Sequence, residues 1–159
     1  MASEALGASV VDLTDDIVTV AKYWQSAFEQ DTTLDLQDVF YGDQNRIPRT
    51  PALCVETGDK RRELNGAPRR TRVDMTIFFL VYHSTIADAQ TNRENTDRMA
   101  FAVEDFIHQD PDLGGLIVHG MVTSIEPGFV SRGNTMYRAS RITYEATSQI
   151  QLPSTSGGV

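Results

Sequence analysis

Three histidines, one cysteine and 22 carboxylates are the side chains with which this 159-residue chain could do chemistry. The tightest grouping is His108-x-Asp110-Pro111-Asp112, three potential metal ligands in a row of five. A metal site needs such donors to converge on one point. Here they stand where a helical pattern meets a proline, and acids around such a proline are ordinary helix-end signals. The expected role is therefore a cap, and no metal is expected. His83 and His119 end or sit within strand patterns, where a half-buried strand residue is the simpler reading than a general base. Glu104-Asp105 lies on helix surface and reads as solvation, not as a catalytic dyad. There is no Walker loop, no dinucleotide glycine fingerprint and no nucleophile elbow. No catalytic residue can be named, so the expectation is a protein that is not an enzyme and carries no cofactor.

Cys54 stands alone, so no internal disulfide can form, which fits a reducing compartment. It falls in an apolar stretch and is expected to be a buried core thiol. Residues 1–11 carry no base and no long apolar run, unlike a signal peptide. No stretch approaches the roughly 20 apolar residues that cross a bilayer.

The elements that would position these residues follow from periodicity. Ile17, Val20, Ala21, Trp24, Ala27 and Phe28 recur at helical spacing, predicting a helix over 15–30 with Thr14 as its cap. Residues 31–51 read as irregular, with Pro48 and Pro51 opposing a central strand. A strand is expected over 52–56, a tight turn at Thr57-Gly58-Asp59 and a polar strand over 60–64. After a turn at 65–68, residues 71–83 give the strongest strand. Val73, Met75, Ile77, Phe79 and Val81 alternate onto one face, while Phe78, Leu80 and Tyr82 make the second half apolar on both. A second helix is expected over 88–109, striped by Met99, Val103 and Phe106, with Ala102 and Ile107 beside it. Its first half is polar enough to be solvated or part of an interface. Strands over 116–125 and 135–147 complete the set, with Pro127-Gly128 ending the former. The order α-β-β-β-α-β-β implies an α+β fold: a mainly antiparallel sheet of about five strands with two helices packed on it. Residues 14–148 form one domain in this reading, flanked by flexible segments 1–13 and 149–159.

Charge is the other signal. The formal net charge is −8, which disfavours general binding to nucleic acid. It is segregated: −8 over residues 1–45, +5 over 46–72 and −5 over 73–159. Such segregation suits charge-steered association, although solvated strand and loop arginines would give the same count. Lys60, Arg61, Arg62, Arg69, Arg70 and Arg72 are accordingly candidate contacts with other subunits. Phe101 lies off the stripe of the second helix, and is either an exposed interface anchor or part of a wide apolar face.

Several segments together resemble a known family. They are Val39-Phe40-Tyr41-Gly42-Asp43-Gln44, Ile47-Pro48 and Pro51-Ala52-Leu53-Cys54-Val55-Glu56. Further along come Arg62-Glu63-Leu64-Asn65-Gly66, Phe79-Leu80-Val81-Tyr82-His83, Gly114-Gly115-Leu116-Ile117-Val118-His119-Gly120 and Tyr137-Arg138-Ala139-Ser140-Arg141. Across about residues 15–148 the chain is similar to the tail terminators of long-tailed bacteriophages, the neck proteins that join head to tail, nearest to those of actinobacterial phages. The resemblance implies a homohexameric ring in the virion neck, assembled in the host cytoplasm. It would cap the tail tube, end tube polymerisation and meet the head connector or head-closure protein. Packaged DNA would pass through without sequence-specific contact. Other neck components, such as head-closure or minor capsid proteins, share this size and lack of catalytic motifs. A regulatory domain that binds a small molecule is the alternative from another class.

Overall fold

The helix predicted from the spacing of Ile17, Val20, Ala21, Trp24 and Phe28 forms as α1, Asp16–Gln30, and those five side chains are buried. The computed structural model describes residues 16–64, 70–84 and 89–151. The proposed Thr14 cap, the turn at 65–68, Arg69 and the flanking segments 1–13 and 152–159 lie outside these described residues.

Five strands follow: β1 (Asp38–Tyr41), β2 (Ala52–Leu64), β3 (Arg70–Ser84), β4 (His119–Arg132) and β5 (Thr135–Gln151). The second helix, α2 (Ala89–His108), joins β3 to β4, with a 3-10 turn at Leu113–Gly115. The strands make one mixed sheet in the order β1-β2-β3-β5-β4. β1 pairs with β2 in parallel, and the other pairings among the described residues are antiparallel. Both helices cover one face of the sheet. The α+β class and the element order are those read from the sequence.

Three local readings are corrected. Val39-Phe40-Tyr41, expected to be irregular, is part of the edge strand β1, paired with Leu53-Cys54-Val55. Thr57-Gly58-Asp59 is no turn; the chain runs through it as one long β2, with an irregularity in register between Thr57 and Lys60. A Cβ at Gly58 would lie 2.7 Å from the Phe78 ring, so the bulge requires a residue without one. Pro127-Gly128 does not end β4, which continues to Arg132. An edge strand tolerates proline where its missing donor faces outward. At the C-terminal end, β5 reaches Gln151, beyond the expected boundary at 148.

Alternation then sorts the side chains. On the helix side lie Leu53, Val55, Val73, Met75, Ile77, Phe79, Val81, Ile142 and Tyr144, packed around Trp24. Trp24 meets Phe79 and Tyr144 edge-on, and Phe28 stacks on Phe106 at 4.7 Å. The opposite face carries a smaller core of Ile47, Ala52, Cys54, Tyr82, Tyr137 and Ala139. The β1–β2 crossover covers it: the Tyr137 hydroxyl donates to the Ile47 carbonyl, and Tyr82 Oη donates to Asp43 at 2.8 Å. Arg132, at the tip of the β4–β5 hairpin, pairs with the same Asp43. This explains why the second half of β3 is apolar on both faces.

Candidate assembly interface

The histidine–aspartate grouping resolves into three separate structural contacts. His108 Nε2 accepts the Val122 N–H at 3.0 Å. Asp110 accepts the Tyr23 hydroxyl at 2.5 Å, and this bond, with burial, raises the Tyr23 pKa. Asp112 accepts the Gly114 N–H. Among the described residues no three His, Cys, Asp or Glu side chains are placed to share a metal. Cys54 is buried, and burial pushes its thiol up to about 12. His119 is exposed on the outer face, where it shares an open concavity with Arg61, Arg72 and Asp74. No helix among the described residues is long and apolar enough to cross a membrane.

Among the described residues the candidate basic side chains fall on both faces of the sheet. Register places Arg61 opposite Asp74 on the outer face and Arg62 opposite Val73 on the helix side. Both are exposed. Arg72 is on the outer face, where its Nε donates to Asp74 at 3.0 Å. Asp74 also accepts from Thr147, and these bonds outweigh burial to hold its carboxyl below the usual range. Lys60 lies on the helix side with Arg62, and Arg70 opens β3. The ribbon therefore presents positive charge to both sides of the sheet.

The feature that sequence reasoning missed is the free edge of β4. Its first half is sealed from within. The outward N–H groups of Gly120 and Val122 are taken by the Pro111 carbonyl and by His108. Beyond an extra residue at Thr123 the strand continues in register with β5 to a two-residue turn at Gly133-Asn134. In such a ladder alternate residues point their backbone groups away from the partner strand. Counting back from the turn, those residues are Ser131, Phe129, Pro127 and Ile125. Only Pro127 lacks a donor. Ser124, Glu126, Pro127 and Phe129 are exposed, so among the described residues this half of the edge is open.

Apolar side chains border the open half. Phe129 is 59% exposed and Met136, across the hairpin, 52%. Phe101 is 54% exposed, so it is not part of the buried face of α2. It lies seven residues before His108 and so on the same flank of α2, the flank that faces β4. The helix crosses the sheet diagonally. Its end sits at β4 through His108, whereas Asn95, Met99 and Ala102 share a cavity with His83 of β3. The divergence leaves the helix side of β4 uncovered towards Phe129. The sequence signal was available in the alternation of Ile125, Pro127 and Phe129, but it was hidden by treating Pro127 as a strand end.

Neither a protein-family model nor a curated protein sequence matches this chain.

Proposed function

We propose that the chain is a structural assembly subunit that binds copies of itself head to tail, as the tail-terminator ring of a long-tailed phage. The observation that carries the assembly reading is the half-open β4 edge with its exposed Phe129, beside which Met136 of β5 and Phe101 of α2 are further exposed apolar side chains. An open edge strand offers backbone donors and acceptors to another chain, and exposed aromatics supply the anchors. The two sheet edges are unlike: β1 has four residues and pairs in parallel, while β4 has 14 and is antiparallel. Unlike edges favour a heterologous contact, which closes into a ring when the rotation allows.

The terminator role within that class draws on the sequence resemblance. Each end of a growing tube is a template for the next ring. Growth stops when a subunit binds that end and offers a different face beyond. In this reading the ring contains six copies and stands in the virion neck between the tube protein and the head connector. The Arg61–Arg72 ribbon contributes to contacts with the tube or with neighbouring subunits. Disrupting the gene and imaging the lysate tests it. Overlong tubes without heads are expected. Tails of normal length lying free would indicate a head-closure component instead, and normal virions would end the neck assignment.

A further inference from the structure

One row across the sheet is chemically out of place. His83 of β3 pairs with Arg138 of β5, which pairs with Phe129 of β4, all on the helix side. Ser140 is the next β5 residue on that side. Arg138 is 9% exposed and Ser140 1%. The Arg138 Nε, the His83 Nε2 and the Ser140 hydroxyl are buried, and among the described residues none has a hydrogen-bond partner. The guanidinium instead lies over the Phe129 ring, 4.3 Å from its centre. An arginine keeps its charge under all ordinary conditions. A guanidinium N–H buried without a partner costs folding free energy, and structures rarely retain one unless something meets it.

The row ends at the open half of the β4 edge, beside the exposed Phe129. A strand added there would place alternate side chains next to Phe129, within reach of the row. Among the described residues no carboxylate pairs with Arg138. The chain itself carries 22 acids against 14 bases, so a neighbouring copy presents surplus carboxylates to any such site.

We propose that Arg138, backed by His83 and Ser140 and roofed by Phe129, is the acceptor for an acidic side chain of a second copy of this chain docking on the open half of β4. The inference rests on the self-assembly reading and adds its specific contact. Arginine suits the role because its planar fork takes a carboxylate through two parallel bonds while its face stacks on an aromatic ring. The partner's acid gives the buried Nε the acceptor that it lacks among the described residues. Assembly is thereby made dependent on one buried ion pair.

The full-length chain and its R138Q and R138K variants test this by sedimentation across a concentration series, with melting temperatures taken below the assembly range. R138Q should shift the assembly midpoint at least tenfold upward, while its monomer melts no lower than wild type, since the buried Nε has no hydrogen bond to lose. R138K, which keeps the charge but loses the fork, should fall between. In the Phe129→p-benzoylphenylalanine variant, irradiation should link Phe129's position to an Asp- or Glu-containing peptide of a second copy. R138Q assembling like wild type would overturn the proposal and leave the self-assembly reading standing. A lowered monomer melting temperature with matching loss of assembly would make Arg138 a folding residue, and also overturn it. Crosslinks confined to the same copy would remove the proposed occupant. A wild-type chain that stays monomeric throughout would sink both readings together.

Discussion

His83 ends β3 half-buried, and burial holds its imidazole below the ordinary histidine range. The unfolded chain therefore binds this proton more readily than the fold does. Stability from this group is fully present above the unfolded value of about 6.5 and is lost as pH falls towards the lowered folded value. Denaturant midpoints measured from about pH 7.5 down to about pH 5.5 should fall, and His83→Gln should flatten that part of the profile. Cys54 gives a second residue-scale expectation. With its thiol pushed up by burial, it should resist alkylation at neutral pH in the native state and react on denaturation. Equal labelling in both states would contradict the burial. Its role was legible from its apolar neighbours. Arg138 was not, because both alternating sets of β5 mix polar and apolar residues. Arg138 and Ser140 share a side with Ile142 and Tyr144, while Ala139 and Tyr137 share one with Arg141 and Glu145. Nothing in that pattern says which side is covered.

At the scale of elements, the helices were legible because 15 and 20 residues hold several turns of a clear period. The breaks between strands were harder, since glycine and proline mark bulges and edges as well as turns. β1 has four residues and owes its form to its neighbour β2, a tertiary cause that no local pattern contains. Two substitutions test how the elements are joined. A Cβ at Gly120 would lie 2.0 Å from the Tyr144 hydroxyl, beneath the Trp24 cluster. Gly120→Ala should cost about 1–3 kcal/mol in equilibrium unfolding, through overpacking. Asp43 ties the β4–β5 tip to the crossover. Burial would raise its carboxyl, but bonds from Arg132 and Tyr82 outweigh that and lower it. Asp43→Asn should speed amide exchange at the tip near Thr135–Tyr137, with a stability loss of about 1 kcal/mol because the pair is partly exposed. Unchanged exchange there would show that the latch holds nothing in place.

For the whole molecule, the sheet has one face under two helices, one partly under a crossover, and one long edge half left open. Arg61 and Arg62 stand exposed on opposite sides of that sheet. Reversing both to Glu should leave the unfolding free energy within about 0.5 kcal/mol of wild type, because exposed charges contribute little. The same double variant should impair assembly, and comparison with the two single variants identifies the side in contact. Normal assembly of the double variant, or its unfolding, would remove the ribbon from the interface. The fold class was legible because element order limits the layers that can bury these faces. The candidate interface was legible only as charge and one off-stripe Phe101, because an open edge is a property of the folded sheet. The central claim is that copies of this chain close on one another through that edge. Native mass spectrometry of the full chain tests it most directly, with Phe129→Asp alongside. A discrete closed species of six 17.7 kDa subunits, lost in the variant, is the predicted result. A monomer at every concentration, or a six-copy species that Phe129→Asp leaves intact, would contradict it.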